Sequence, residues 1–134
     1  MHIFTYYAGG LLNGEDDLWA SDRMTYNYNN RMRASLTLQQ PTGNWTNGYT
    51  WDGAHRLSTE ASPAGAFTYT YSGAGKLVKK LALPNASYIT NTYDNVSRLT
   101  GTYLDNSSNT ILDKSEYLYN SGNVGKMHGV SVGR

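Results

Sequence analysis

The chain has 134 residues, a length that suits one domain or a piece of a longer array, and only 16% of them are charged, with a net charge of +1. That balance excludes the clustered Lys and Arg of a nucleic-acid surface, and no apolar run approaches the roughly 18 residues of a membrane span. The absence of Cys excludes disulfides and thiolate metal sites, while twelve Tyr among many Asn, Thr, Ser and Gly point to short strands and frequent turns rather than to disorder.

In chain order, MHIFTYYAGG has no basic region followed by an apolar stretch, so no signal peptide is expected. Tyr6-Tyr7-Ala8-Gly9-Gly10-Leu11 reads as a strand end, a glycine turn and a strand start. Residues 11–24 are the least regular stretch and are expected to hold a long hairpin loop, with Glu15-Asp16-Asp17 as a solvated acidic cluster lacking the alternating ligands of a calcium loop. From Tyr26 onward a pattern recurs. Tyr26-Asn27-Tyr28-Asn29 leads to Arg33-Ala34, Tyr49-Thr50-Trp51-Asp52 to Arg56-Leu57, Tyr69-Thr70-Tyr71-Ser72 to Lys76-Leu77, and Asn91-Thr92-Tyr93-Asp94 to Arg98-Leu99. Tyr117-Leu118-Tyr119-Asn120 is a last, degraded copy. The anchors Tyr7, Tyr28, Trp51, Tyr71, Tyr93 and Tyr119 follow one another at spacings of 21, 23, 20, 22 and 26 residues.

Between anchors a second turn repeats. Pro41, Pro63 and Pro84 each stand four residues before an aromatic, Trp45, Phe67 and Tyr88. Proline presets the first central turn position and is excluded from central strands. In the longest spacing DNSSN at 105–109 replaces it. Two turns per repeat of about 22 residues leave strands near the common length. In AFTYTY, Phe67, Tyr69 and Tyr71 alternate with Thr68 and Thr70, which places the aromatics on one face. The aspartate or serine after each anchor starts a turn by bonding nearby backbone N–H groups. The leucine six residues after the anchor then returns opposite it as a cross-strand partner. The expected fold is all-β: about six consecutive antiparallel hairpins forming a curved sheet over residues 1–134, without a helix.

The motifs YTWDGAHRL, YTYSGAGKL and NTYDNVSRL resemble the Rhs or YD-repeat family, whose signature is aromatic-x-Tyr-Asp, a short turn with Gly, and Arg-Leu. The resemblance covers residues 5 to 120. The glycine before the basic residue is kept only as Gly75, where the other copies have His55 and Ser97. The family implies a β-sheet that spirals into a hollow shell, a toxin shell in bacterial polymorphic toxins and a cell-surface scaffold in teneurin-like proteins. It implies a scaffold that is not an enzyme and has no cofactor, and the lack of a capping element at either end is expected of a fragment of a longer array. Its partners would be the remainder of the parent chain and its toxin cargo, with self-association through open sheet edges. The implied location is secreted or at the cell surface, as part of the full-length protein. The residues carrying the repeat are Tyr28, Trp51, Asp52, Arg56, Leu57, Tyr69, Tyr71, Lys76, Leu77, Tyr93, Asp94, Arg98, Leu99, Tyr117 and Tyr119.

Other chemistry is weakly signalled. His2, His55 and His128 lack second ligands at metal spacing, and nothing in the sequence brings Glu60 and Glu116 together as a carboxylate pair. Trp19 and Trp45 stand off the anchor positions and are the surface aromatics best suited to stack on a glycan. An extracellular carbohydrate- or protein-binding repeat module, and a decayed gene fragment without function, are therefore the alternative readings.

Overall fold

A computed structural model describes residues 1–17, 22–119 and 127–133, the last stretch by its backbone. Trp19 lies outside these described residues. The described chain is all-β, with no helix, and its strands follow one another in sequence order. It falls into two compact units, Met1–Ala66 and Phe67–Arg134.

The first unit holds β1 (Ile3–Tyr6), β2 (Leu12–Asp16), β3 (Met24–Asn29), β4 (Met32–Leu38), β5 (Trp45–Trp51) and β6 (Leu57–Ser62). Each pairs antiparallel with the next, making an open meander. The second unit takes β7 (Gly65–Tyr71) from Phe67 onward, then β8 (Val78–Ala82), β9 (Tyr88–Tyr93), β10 (Leu99–Asp105), β11 (Ile111–Tyr119) and β12 (Met127–Gly133), again paired in order. Two stretches are more ordered than their sequence suggests. Glu15 and Asp16 belong to β2, where they face Phe4 and Ile3, so the acidic cluster is part of a ladder and not a free loop. The irregular tail forms β12, which pairs with Lys114–Tyr119.

Period-2 alternation is clearest in β7, where Phe67, Tyr69 and Tyr71 are half-buried and Thr68 and Thr70 exposed. Burial goes little further. Tyr26 is the one buried apolar side chain among the described residues, at 6% exposure, and no described side chain is sealed completely. Ile3, Phe4, Tyr6, Ile111, Leu112 and Leu118 stay exposed. Apolar burial is therefore partial and spread over half-buried side chains such as Leu57, Phe67, Tyr69, Ile89 and Leu99. The polar rows instead link strands through side-chain bonds, Thr37 to Thr46, Thr92 to Thr100, Asn91 to Thr102 and Asn27 to Ser35, each 2.9–3.0 Å.

Candidate functional site

The turns that follow the anchors share one construction. Asp52 N–H donates to Arg56 O and His55 N–H to Asp52 O, both at 2.9 Å. The Asp52 carboxylate then fills the interior of the turn. Its Oδ1 accepts Ala54 N–H at 2.8 Å and Arg56 N–H at 3.0 Å, and its Oδ2 accepts Arg56 Nε at 2.7 Å. Asp94 repeats this with Val96, Ser97 and Arg98, at 3.0, 2.9 and 2.7 Å for the three carboxylate bonds. Asn106 repeats the amide part with Ser108 and Thr110, both at 2.9 Å, so the DNSSN segment is a turn of the aspartate type. The order Asp, three residues, Arg is therefore a clamp. One carboxylate binds the two backbone donors that the turn leaves over and pins the guanidinium that resumes the strand.

Both carboxyls titrate below their ordinary range. At Asp52 the main cause is the Arg56 N–H, opposed by partial desolvation and reinforced by the guanidinium and Ala54 N–H. At Asp94 desolvation pushes the carboxyl up, and the Arg98 N–H, its guanidinium and Val96 N–H together outweigh it. In each turn the residue before the arginine is left-handed, His55 at φ 59° and Ser97 at φ 66°. This is the position where the repeat signature places glycine.

The two clamped turns share one register. Trp51 faces Leu57 and Tyr93 faces Leu99, each with a bulge beside the pair. The third copy differs. Tyr71 faces Val78, not Leu77, because the turn closes one residue later, with Ser72 N–H on Leu77 O. Its left-handed residue is Gly73 (φ 58°), and the Ser72 hydroxyl cannot supply the two oxygens of the clamp. Lys76 is thus an exposed turn residue, and Leu77 stands where Arg56 and Arg98 stand in their turns. In the first hairpin the alignment shifts by one. Tyr6 faces Leu12, and Tyr7, with its N–H on Leu11 O, occupies the position of the aspartate. Tyr28 faces Arg33 across a two-residue loop, Asn30-Arg31, in which both residues are left-handed (φ 49° and 65°).

The anchor aromatics reach beyond their own hairpins. Trp51 Nε1 donates to Arg33 O at 2.8 Å, Tyr93 Oη to Val78 O at 2.8 Å, and Tyr119 Oη to Leu99 O at 2.8 Å. Arg33, Val78 and Leu99 are the residues that face the preceding anchors Tyr28, Tyr71 and Tyr93. Each of these three anchors is therefore stapled to the backbone beside the anchor before it. Arg98 adds to this, with its guanidinium carbon 4.6 Å from the Tyr119 ring centroid while Nε holds Asp94. Sequence reading treated the anchors as packing groups and missed the staple. A signal was present: Trp51, Tyr71, Tyr93 and Tyr119 all carry a donor, and neither Phe of the chain stands at an anchor.

The remaining positions are accounted for individually. Tyr69 lies half-buried in β7, and Tyr117 half-buried in β11 facing Val130. Trp45 begins β5, exposed, with Nε1 on Asn47 Oδ1 at 3.1 Å. His2 sits 3.7 Å from Glu15 and 3.5 Å from Asp17. Glu60 accepts Asn47 Nδ2 at 3.3 Å. Glu116 accepts Lys114 Nζ and Tyr103 Oη, both at 3.1 Å, which lower its pKa in that order. Among the described residues no group of His, Asp and Glu is arranged to hold a metal ion, and no helix is long and apolar enough to cross a membrane.

Of the depressions at the anchor end of the first unit, two share Tyr28 and Arg31. One, of about 330 Å³, is lined by Tyr7, Leu11, Tyr28 and Arg31 among others. The other, of about 500 Å³, is lined by Tyr28, Arg31, Arg33, Trp51 and Leu57 among others.

The chain matches no protein-family model and no curated protein.

Proposed function

We propose that the chain is a non-catalytic structural segment of an Rhs- or YD-type repeat shell, a wall rather than a reaction site. The observation that carries this reading is the repeat-to-repeat staple from Trp51, Tyr93 and Tyr119 to the carbonyls of Arg33, Val78 and Leu99. It devotes the most regular residues of the chain to holding one hairpin on the previous one. Such nearest-neighbour bonding suits an array that lengthens by adding repeats. In the full-length protein the segment would act outside the cytoplasm, secreted or at the cell surface, with the rest of the shell and an enclosed cargo as its partners.

Sequencing the DNA on both sides of the coding region tests this. The reading expects the frame to continue through further repeats towards a variable C-terminal domain. Stop codons bracketing the 134 codons would contradict it.

A further inference from the structure

By register, the anchor position is held by Tyr6, Tyr28, Trp51, Tyr71, Tyr93 and Tyr119, each facing its cross-strand partner beside a bulge. Trp51, Tyr93 and Tyr119 staple to the strand before their own at one constant offset. Ser35 faces Gly48, so Arg33 comes level with Thr50, and the bond to Arg33 O arrives from the next residue, Trp51. Lys80 facing Thr90 and Gly101 facing Glu116 give Tyr93 and Tyr119 the same offset from Val78 and Leu99. Tyr28 departs from the rule where β2 and β3 pair only over Gly14 and Glu15, and its ring meets Tyr7 edge to face.

Tyr6 is an anchor with no strand before it. It ends β1, which pairs with β2 alone among the described residues, and all of Ile3, Phe4, Thr5 and Tyr6 are exposed. Its hydroxyl makes no hydrogen bond within the described chain. A matching acceptor stands at the other end of the strand order. There β12 pairs with β11 alone, and Met127 faces Tyr119 as Arg33, Val78 and Leu99 face Tyr28, Tyr71 and Tyr93. Neither IFTY nor MHGVSVG carries the Lys, Glu or Pro that usually protects an open edge. One edge strand ends in an anchor and the other follows one, so each edge complements the other and not itself.

We propose that the chain associates head to tail with a second copy of itself, β1 of one copy adding antiparallel to β12 of the next, with the Tyr6 hydroxyl donating to Met127 O of the neighbour. The staple offset sets the register: Thr5 faces Met127 of the neighbour and Ile3 faces its Gly129. Such an interface is heterologous, and each added copy presents the same two edges again. The overlap is short, so association is weak and depends on concentration. Pairing of this kind requires only the staple geometry, and not the flanking repeats of the proposed shell.

Sedimentation velocity of the 134-residue chain from micromolar to millimolar concentration tests this, together with disulfide trapping, which the lack of Cys makes clean. Single variants Thr5→Cys and Met127→Cys are mixed under mild oxidation, since residues that face each other across an antiparallel pair lie within disulfide reach. The expected result is a mass that rises with concentration, with the mixed disulfide between positions 5 and 127 outweighing either same-site disulfide. Tyr6→Phe should weaken association about fivefold, the loss of one hydrogen bond. Ile3→Lys, which charges the edge, should weaken it roughly tenfold or more. Both side chains are exposed in the single copy, and circular dichroism checks that the strands persist. A chain that stays monomeric throughout overturns the proposal. So does a same-site disulfide at position 5 that outweighs the mixed one, or an association that Tyr6→Phe leaves unchanged. Monomeric behaviour would leave the shell reading intact, because the flanking DNA decides that reading separately.

Discussion

Asp52 and Asp94 each place two carboxylate oxygens on three donors within four residues of chain, so the charge adds to the stability of their turns. Both carboxyls have folded pKa values below the ordinary one. Their contribution is therefore complete above the unfolded value, near pH 4, and is lost as pH falls through the depressed folded values. Melting temperature measured from pH 7 down to pH 2 should decline on that acid limb. In Asp52→Asn/Asp94→Asn, which keeps the amide-type acceptor seen at Asn106 but not the charge, the chain should be less stable at pH 7 and the acid decline shallower. An acid limb identical to that of the parent chain would refute the clamp.

At the same scale, His55 and Ser97 hold left-handed backbone at a cost that glycine avoids. His55→Gly and Ser97→Gly should each raise unfolding free energy by roughly 0.5 kcal/mol, the strain relieved being partly offset by the greater freedom of glycine in the unfolded chain. Urea unfolding measures this. The same change at Asn109 (φ 61°), a residue type that tolerates this region, should gain less.

The hairpins show what sequence could and could not say about the elements. Trp51 with Leu57 and Tyr93 with Leu99 are six apart, and in both the aspartate that dictates the five-residue turn is visible in the sequence. Tyr71 and Leu77 have the same spacing, yet Tyr71 faces Val78, where Gly73 takes the left-handed position early in the turn. Spacing alone therefore misleads where a glycine inside the turn can take the left-handed position early, while Tyr6 with Leu12 and Ala82 with Tyr88 keep the six-residue spacing without an aspartate. Tyr7 misleads for a related reason: two adjacent tyrosines fit the pattern, and only the pairing of Tyr6 with Leu12 distinguishes them. Only the donor half of the staple was legible, because its acceptor is a main-chain carbonyl, which no residue type announces. Gly101 was overlooked on similar grounds. A Cβ there would lie 2.7 Å from Tyr103 Oη, 2.8 Å from its ring and 2.9 Å from Thr92 Oγ1. Gly101→Ala should displace the Tyr103 ring from its bond to Glu116 and cost about 1–3 kcal/mol by overpacking. A loss below about 0.5 kcal/mol in urea unfolding would show that the ring moves freely.

For the molecule as a whole, the scarcity of buried side chains decides the account. A layer of sheet ordinarily gains its stability by covering one face with a second layer, and here Tyr26 is the one buried apolar residue among those described. Ladders, clamps and staples therefore add to a burial that is only partial at residues such as Leu57, Phe67 and Leu99. The all-β class and the succession of hairpins could be read from turn spacing and tyrosine alternation. The thin burial could not, since the same alternation would serve a sheet packed on a core. The proposed wall in a larger shell would give such a sheet a use, and the staple is the central physical claim of that proposal.

The most direct test is urea unfolding of Tyr93→Phe and Tyr119→Phe, which remove one hydroxyl each and leave the rings, beside Tyr6→Phe at a position that is 62% exposed. The account predicts a loss of about 1 kcal/mol for each stapling tyrosine and a change within about 0.5 kcal/mol for Tyr6. Equal, negligible effects at all three positions would show that the anchors merely pack, and would contradict the repeat-to-repeat staple.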